Sequence, residues 1–79
     1  MEIEVKLFAT LRDYLPKESS RFSCKMKIDG QTQVKDILSS LKIPEEIPKI
    51  LLVNGIHAKK EQILKEGDVL SIFPPVAGG

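Results

Sequence analysis

The sequence predicts an α+β fold: a mixed sheet of four to five short strands rolled over one main helix. Three observations carry this reading. Ile3, Val5 and Leu7 alternate with Glu2, Glu4 and Lys6, the period of a strand with one wet face. Val34, Ile37, Leu38 and Leu41 recur at helical spacing in the middle of the chain. Turn signals at Asn54-Gly55 and Gly67-Asp68 then divide the remainder into short segments.

Each element follows from local pattern. After the first strand, Leu11, Tyr14 and Leu15 space like one or two helical turns before Pro16. Lys17 to Ser20 is a solvated loop. Phe22, Cys24, Met26 and Ile28 form a second alternating strand, with Ser23, Lys25 and Lys27 on its other side. Asp29-Gly30 ends it. Thr32 is the expected N-cap of the helix, and Pro44 limits that helix. Ile50 to Val53 is a short apolar strand, and Asn54-Gly55 is a hairpin signal leading to a short partner over 56–58. The last strand draws on Val69, Leu70, Ile72 and Phe73. An apolar helix stripe must be covered, and a sheet supplies the matching face. Placing the first and last strands side by side in the centre leaves the helix in the long connection, a shape like that of ubiquitin. A five-stranded barrel would leave the stripe on residues 34–41 harder to cover. The expected shared core is Ile3, Val5, Leu7, Val34, Ile37, Leu38, Leu41, Leu52, Val69 and Ile72.

Composition narrows the function. The 79 residues make one domain, and chains this small bury only about 60 to 65% of the surface their unfolded form exposes. Twelve Lys and Arg against eleven Asp and Glu leave a formal charge of +1, which does not point to nucleic acid. No apolar run approaches the roughly 18 residues of a membrane span, and the alternating start is not that of a signal peptide. One cysteine and one histidine supply neither an internal disulfide nor a zinc set, so no metal is expected and the cytoplasm is the expected compartment. Cys24 shares inward parity with Phe22 and Met26 and reads as a small core residue. His57 follows a turn signal without a carboxylate or cysteine partner and reads as surface. Lys59, Lys60 and Lys65 are diluted by Glu61 and Glu66.

The informative segment is the ending, Phe73-Pro74-Pro75-Val76-Ala77-Gly78-Gly79. No charged residue follows Asp68. The prolines hold the arm extended and withhold two backbone donors, and the glycines add no side-chain bulk. Six residues beyond Phe73 reach roughly 20 Å at about 3.3 to 3.6 Å each. The arm is expected to be mobile in the free protein and to deliver a carboxylate into a partner's narrow channel. A carboxylate is a poor electrophile at neutral pH, so chemistry at Gly79 requires activation, most simply as an acyl-adenylate.

The stretch from Val5 through Phe8 and Arg12 to Asp13, with the Phe-Pro-Pro-Val-x-Gly-Gly ending, resembles the small, sulfur-carrying subunit of molybdopterin synthase. This is the MoaD family within the MoaD/ThiS ubiquitin-like sulfur carriers, and the likeness spans the whole chain. The resemblance implies a ubiquitin-like β-grasp domain over 1–73 and a carrier tail over 74–79. It implies that Gly79 is adenylated by a MoeB-like activating enzyme using ATP and Mg, then converted to a thiocarboxylate by a sulfur donor protein. Phe73, Pro74, Pro75, Val76, Ala77 and Gly78 would contact the partner, a MoaE-like large subunit in a heterotetramer. That subunit would supply the catalytic groups and pass the sulfur to cyclic pyranopterin monophosphate. No stably bound cofactor is implied. Thiamine or tRNA sulfur carriers and lysine-conjugated modifiers share the terminal chemistry and stand as alternatives, as does a non-catalytic β-grasp interaction module. Residues 16–31 and 43–50 carry little of the family pattern.

Overall fold

A computed structural model of the chain describes residues 1–75; Val76, Ala77, Gly78 and Gly79 lie outside the described residues. The elements are β1 (Glu2–Leu7), a 3₁₀ helix (Ala9–Tyr14), β2 (Ser23–Lys27), α1 (Val34–Ser40), β3 (Ile50–Val53), β4 (Ile56–His57) and β5 (Val69–Phe73). They build one five-stranded sheet in the order β2-β1-β5-β3-β4. β1 and β5 lie side by side and parallel, while every other pairing is antiparallel. A parallel pair cannot be closed by a tight turn, so the intervening chain must cross over, and α1 sits in that crossover.

One face of the sheet meets α1 in a core of Ile3, Val5, Leu7, Leu11, Val34, Ile37, Leu38, Leu41, Ile43, Val53, Leu64, Leu70 and Ile72. Two expected members are not there. Leu52 and Val69 are only half-buried, because the register pairs Val53 with Leu70 and Leu51 with Ile72. Successive strand residues point to opposite faces, so Leu52 and Val69 face away from α1. The run Ile50–Val53 is apolar throughout and hides this parity, whereas in Val69–Phe73 the polar Ser71 marks the outward face that Val69 and Phe73 share. Leu64, fully buried, belongs to no strand or helix. It is held in place by its N–H donating to the Thr32 carbonyl at 2.8 Å.

The helix starts one residue later than Thr32 suggests. Gln33 is its N-cap, and the Gln33 N–H donates to the Asp36 carboxylate at 2.8 Å. Thr32 serves the preceding turn instead, where its hydroxyl and the Gln31 N–H both donate to the Asp29 carboxylate. Those two contacts, the Gln31 N–H first, hold the Asp29 carboxyl below its usual range. The first helical N–H groups donate outside the helix, Val34 to the Gln62 carbonyl and Lys35 to the Lys60 carbonyl. A seven-residue helix has no stability of its own in water, so the 60–64 segment and the core stripe hold it.

Its other end is a Schellman turn rather than a proline stop. Ile43 N–H returns to the Leu38 carbonyl and Lys42 N–H to the Ser39 carbonyl, both at 3.0 Å. Lys42 sits at φ 61°, the left-handed position that glycine usually fills. The accompanying apolar contact joins Leu38 and Ile43, both in the core.

The turns around β5 lock together. Asn54 (φ 53°) and Gly55 (φ 82°) have the paired positive φ values of a tight hairpin turn. The Asn54 side chain accepts from Val69 N–H and donates to the Asp68 carboxylate, each at 2.9 Å. Asp68 accepts in turn from Lys65 N–H at 2.9 Å. The β3–β4 hairpin and the entry to β5 are thereby one hydrogen-bonded unit.

Two stability changes test this account in urea denaturation. Leu70→Ala is expected to cost about 2 to 5 kcal/mol, whereas Val69→Ala on the opposite face costs about 1 kcal/mol or less. Lys42→Gly is expected to stabilise by up to about 1 kcal/mol by relieving the left-handed φ; a loss would contradict the Schellman account.

Candidate functional site

The chain's three phenylalanines converge where β1 ends, β2 begins and β5 ends. The register pairs Leu7 with Ile72, so the next residues along, Phe8 and Phe73, stand side by side on the face away from α1. Their rings stack with centroids 4.3 Å apart and planes 4° from parallel. Phe22 also stacks on Phe8, with centroids 5.6 Å apart and planes at 29°. The backbone fixes this cluster from beneath. Leu7 N–H donates to the Phe22 carbonyl at 2.8 Å and Phe8 N–H to the Ile72 carbonyl at 3.2 Å.

Phe22 departs from the inward parity expected of it. Lying opposite Leu7 it belongs by register to the core side, yet it is 38% exposed and spends its ring on Phe8. The same sheet face carries Ile50 beside Phe73 and Leu52 beside Ser71, with Val69 one row further along. The result is a half-buried apolar strip leading to the exit of β5. Phe73 is the last residue of β5, Pro74 is half-buried and Pro75 exposed. Val76, Ala77, Gly78 and Gly79, together with the expectation of a mobile arm, lie outside the described residues.

The structure therefore joins Phe73 to Phe8 and Phe22, two residues that sequence reasoning had not assigned to the site. Phe8 was visible as part of the opening motif. What could not be read was the parallel β1–β5 register that sets it against Phe73.

Cys24 is half-buried on β2, opposite Val5, and burial pushes its thiol above the ordinary value. A nucleophilic cysteine needs the opposite shift. His57 is exposed on β4 opposite Leu52. Lys60 pairs with Glu45 at 3.2 Å on the rim of a hollow of 330 Å³ beside α1. Among the described residues no group of His, Cys, Asp and Glu could hold a metal ion, and no helix is long and apolar enough to cross a membrane.

Known proteins agree with this architecture. The sequence model of the Mut7-C ubiquitin family matches residues 1–78. The chain belongs to the Mut7-C ubiquitin family. It is 32% identical to small archaeal modifier protein 3 of Haloferax volcanii, over the full length of both chains. Among solved structures it is similar to SAMP1 of the same organism, with a TM-score of 0.77 and 27% identity, each chain covered in full. It is also similar to a chain in the complex of subunits 1 and 2 of molybdopterin-converting factor from Helicobacter pylori, with a TM-score of 0.64, 26% identity and full coverage of both. The fold is thus the ubiquitin-like β-grasp, with the full five strands of the expected four to five.

Two measurements check the site. Phe8→Ala is expected to weaken binding of any cognate partner by about tenfold or more, the loss typical of a central aromatic anchor, with the fold retained by circular dichroism. Cys24 is expected to react with iodoacetamide at pH 8 several-fold more slowly than about the rate of a free thiol, since its thiolate is disfavoured.

Proposed function

We propose that this chain is a ubiquitin-like acyl carrier whose Gly79 carboxylate is activated and loaded with sulfur. The carboxylate attacks the α-phosphate of ATP on a separate activating enzyme, giving an acyl-adenylate and pyrophosphate. Hydrosulfide released by a sulfur donor then attacks the acyl carbon; the C–O bond to AMP breaks, AMP and a proton leave, and a C-terminal thiocarboxylate remains. In the first reading the acceptor is cyclic pyranopterin monophosphate, bound by the large subunit of molybdopterin synthase, which supplies the catalytic groups. The carrier itself contributes docking and delivery.

The observation that supports this reading most is the junction at Phe73. An aromatic stack anchored on three strands leads directly into Pro74-Pro75 and then the bare Val-Ala-Gly-Gly tip. An apolar platform holds the body of the carrier against a partner, and the proline pair limits the backbone freedom of the chain that leaves it. The likeness to the Helicobacter complex favours a two-subunit setting of this kind.

A second reading keeps the activation step and changes the acceptor. The activated Gly79 acylates a lysine of another protein, as for a modifier, and the 32% identity to a protein named small archaeal modifier protein 3 favours it.

Intact-mass analysis separates the readings. Incubation with an activating enzyme, ATP and a sulfur source is expected to add about 16 Da at Gly79, the exchange of one oxygen for sulfur in an acyl carrier. Transfer to the pterin with a large subunit present supports the first reading, and Gly79–lysine isopeptides in tryptic digests support the second. A residue appended after Gly79 is expected to abolish loading, and Gly78→Val to impair it while sparing the fold. Equal loading of the extended protein, or sulfur found on Cys24, would defeat the proposal.

A further inference from the structure

We propose that the outer edge of β2 is a second docking site, independent of the carrier tail, for an extended peptide that alternates acidic and apolar residues. β2 is an edge strand, paired on one side only with β1. The bonds Leu7 N–H to Phe22 carbonyl and Ile28 N–H to Met1 carbonyl fix the phase of that pairing. In an antiparallel ladder residues alternate between facing the partner and facing away. Phe22, Cys24, Met26 and Ile28 therefore turn their main-chain groups toward β1, and Ser23, Lys25 and Lys27 turn theirs outward. The Ser23 carbonyl already accepts from Ser20 N–H at 2.9 Å, which closes that end of the edge. Lys25 and Lys27 make no other main-chain hydrogen bond among the described residues. Two donors and two acceptors are left in strand geometry.

Beside this edge lies a groove of 390 Å³ between β2 and α1, lined by Met26, Ile28, Thr32, Ile37 and Ser40 among others. Met26 and Ile28 are half-buried apolar side chains, so a further strand would cover their exposed sides. On the opposite face of the strand stand the Lys25 and Lys27 side chains, which form no ion pair among the described residues.

The native partner shows what chemistry this strand selects. β1 sets Glu2 opposite Lys27, Ile3 opposite Met26, Glu4 opposite Lys25 and Val5 opposite Cys24. A strand added to the free edge meets the same two rows, lysines on one face and apolar side chains on the other. It is matched by the same alternation of acidic and apolar residues. Lysines on an edge ordinarily deter pairing between copies. Here they set lysine against lysine in a self-pair and lysine against carboxylate in the proposed complex, so a second copy is disfavoured and an acidic strand is preferred.

The probe is a capped heptapeptide alternating glutamate and valine, titrated into the isotope-labelled full-length protein and followed by amide NMR. The Lys25 and Lys27 amides are expected to shift and to exchange with solvent more slowly by about tenfold or more at saturation. Lys25→Pro deletes an N–H that β1 does not use and is expected to remove this response. The double change Lys25→Gln with Lys27→Gln leaves the ladder intact, and is expected to weaken binding several-fold, up to about tenfold. It carries the test alone where the proline variant does not fold. The idea is overturned by any of three results. These are no response of the two amides at millimolar peptide, shifts confined to Phe8, Leu52 and Phe73, or equal binding of a peptide with its glutamates grouped at one end.

Discussion

The parallel pairing of β1 with β5 is the constraint on which the rest of the molecule depends. It sets Val5 beside Leu70 and Leu7 beside Ile72, the centre of the core. It requires a crossover, and so dictates where α1 lies. It also brings Phe8, at the end of the first strand, against Phe73, at the end of the last. Core, helix placement and aromatic platform are three outcomes of one register.

The aromatic cluster is concentrated at one end of that pairing. The face toward α1 is closed by packing, whereas the opposite face carries a mixed strip of half-buried apolar and charged side chains. Such a face is poorly suited to enclose a small substrate and well suited to lie against another protein, with a few aromatic anchors surrounded by polar groups. This division is in keeping with the carrier role proposed above, in which the globular part is what a partner recognises.

Much of the fold was legible because the period changes cleanly. Ile3, Val5 and Leu7 announce a strand, Val34 to Leu41 a helix, and Asn54-Gly55 a hairpin, all as found. Legibility failed where one side of a pattern was missing. Leu51-Leu52-Val53 is apolar at consecutive positions, so hydrophobicity could not say which member faces inward; the pairing with β5 decides, and in β5 itself Ser71 was the one polar mark of the outward face. Thr32 carries the side chain of a good cap, but its hydroxyl donates to the Asp29 carboxylate in the preceding turn, and the helix begins after Gln33. Leu64 lies in a segment without periodicity, and its burial follows from the bonds that tie that segment to the start of α1. At the site, Phe73 was legible as the base of the tail. Its partners Phe8 and Phe22 were not, since a contact between residues 8 and 73 is a property of topology rather than of local sequence.

The same adjacency governs how the chain reaches its native state. The central strand pair joins the first and last of the described elements, so during synthesis β1 has its antiparallel partner β2 early, but its parallel partner only after the 3₁₀ helix, α1, β3 and β4 have also been made. Contacts between distant segments require closure of a long loop before any stabilisation is returned, and they slow folding. Until β5 arrives, the inner edge of β1 and the apolar side of α1 are without their cover. Closure of the core therefore waits on β5: the two faces of the sheet take their final form only when the strand that carries Phe73 has been made.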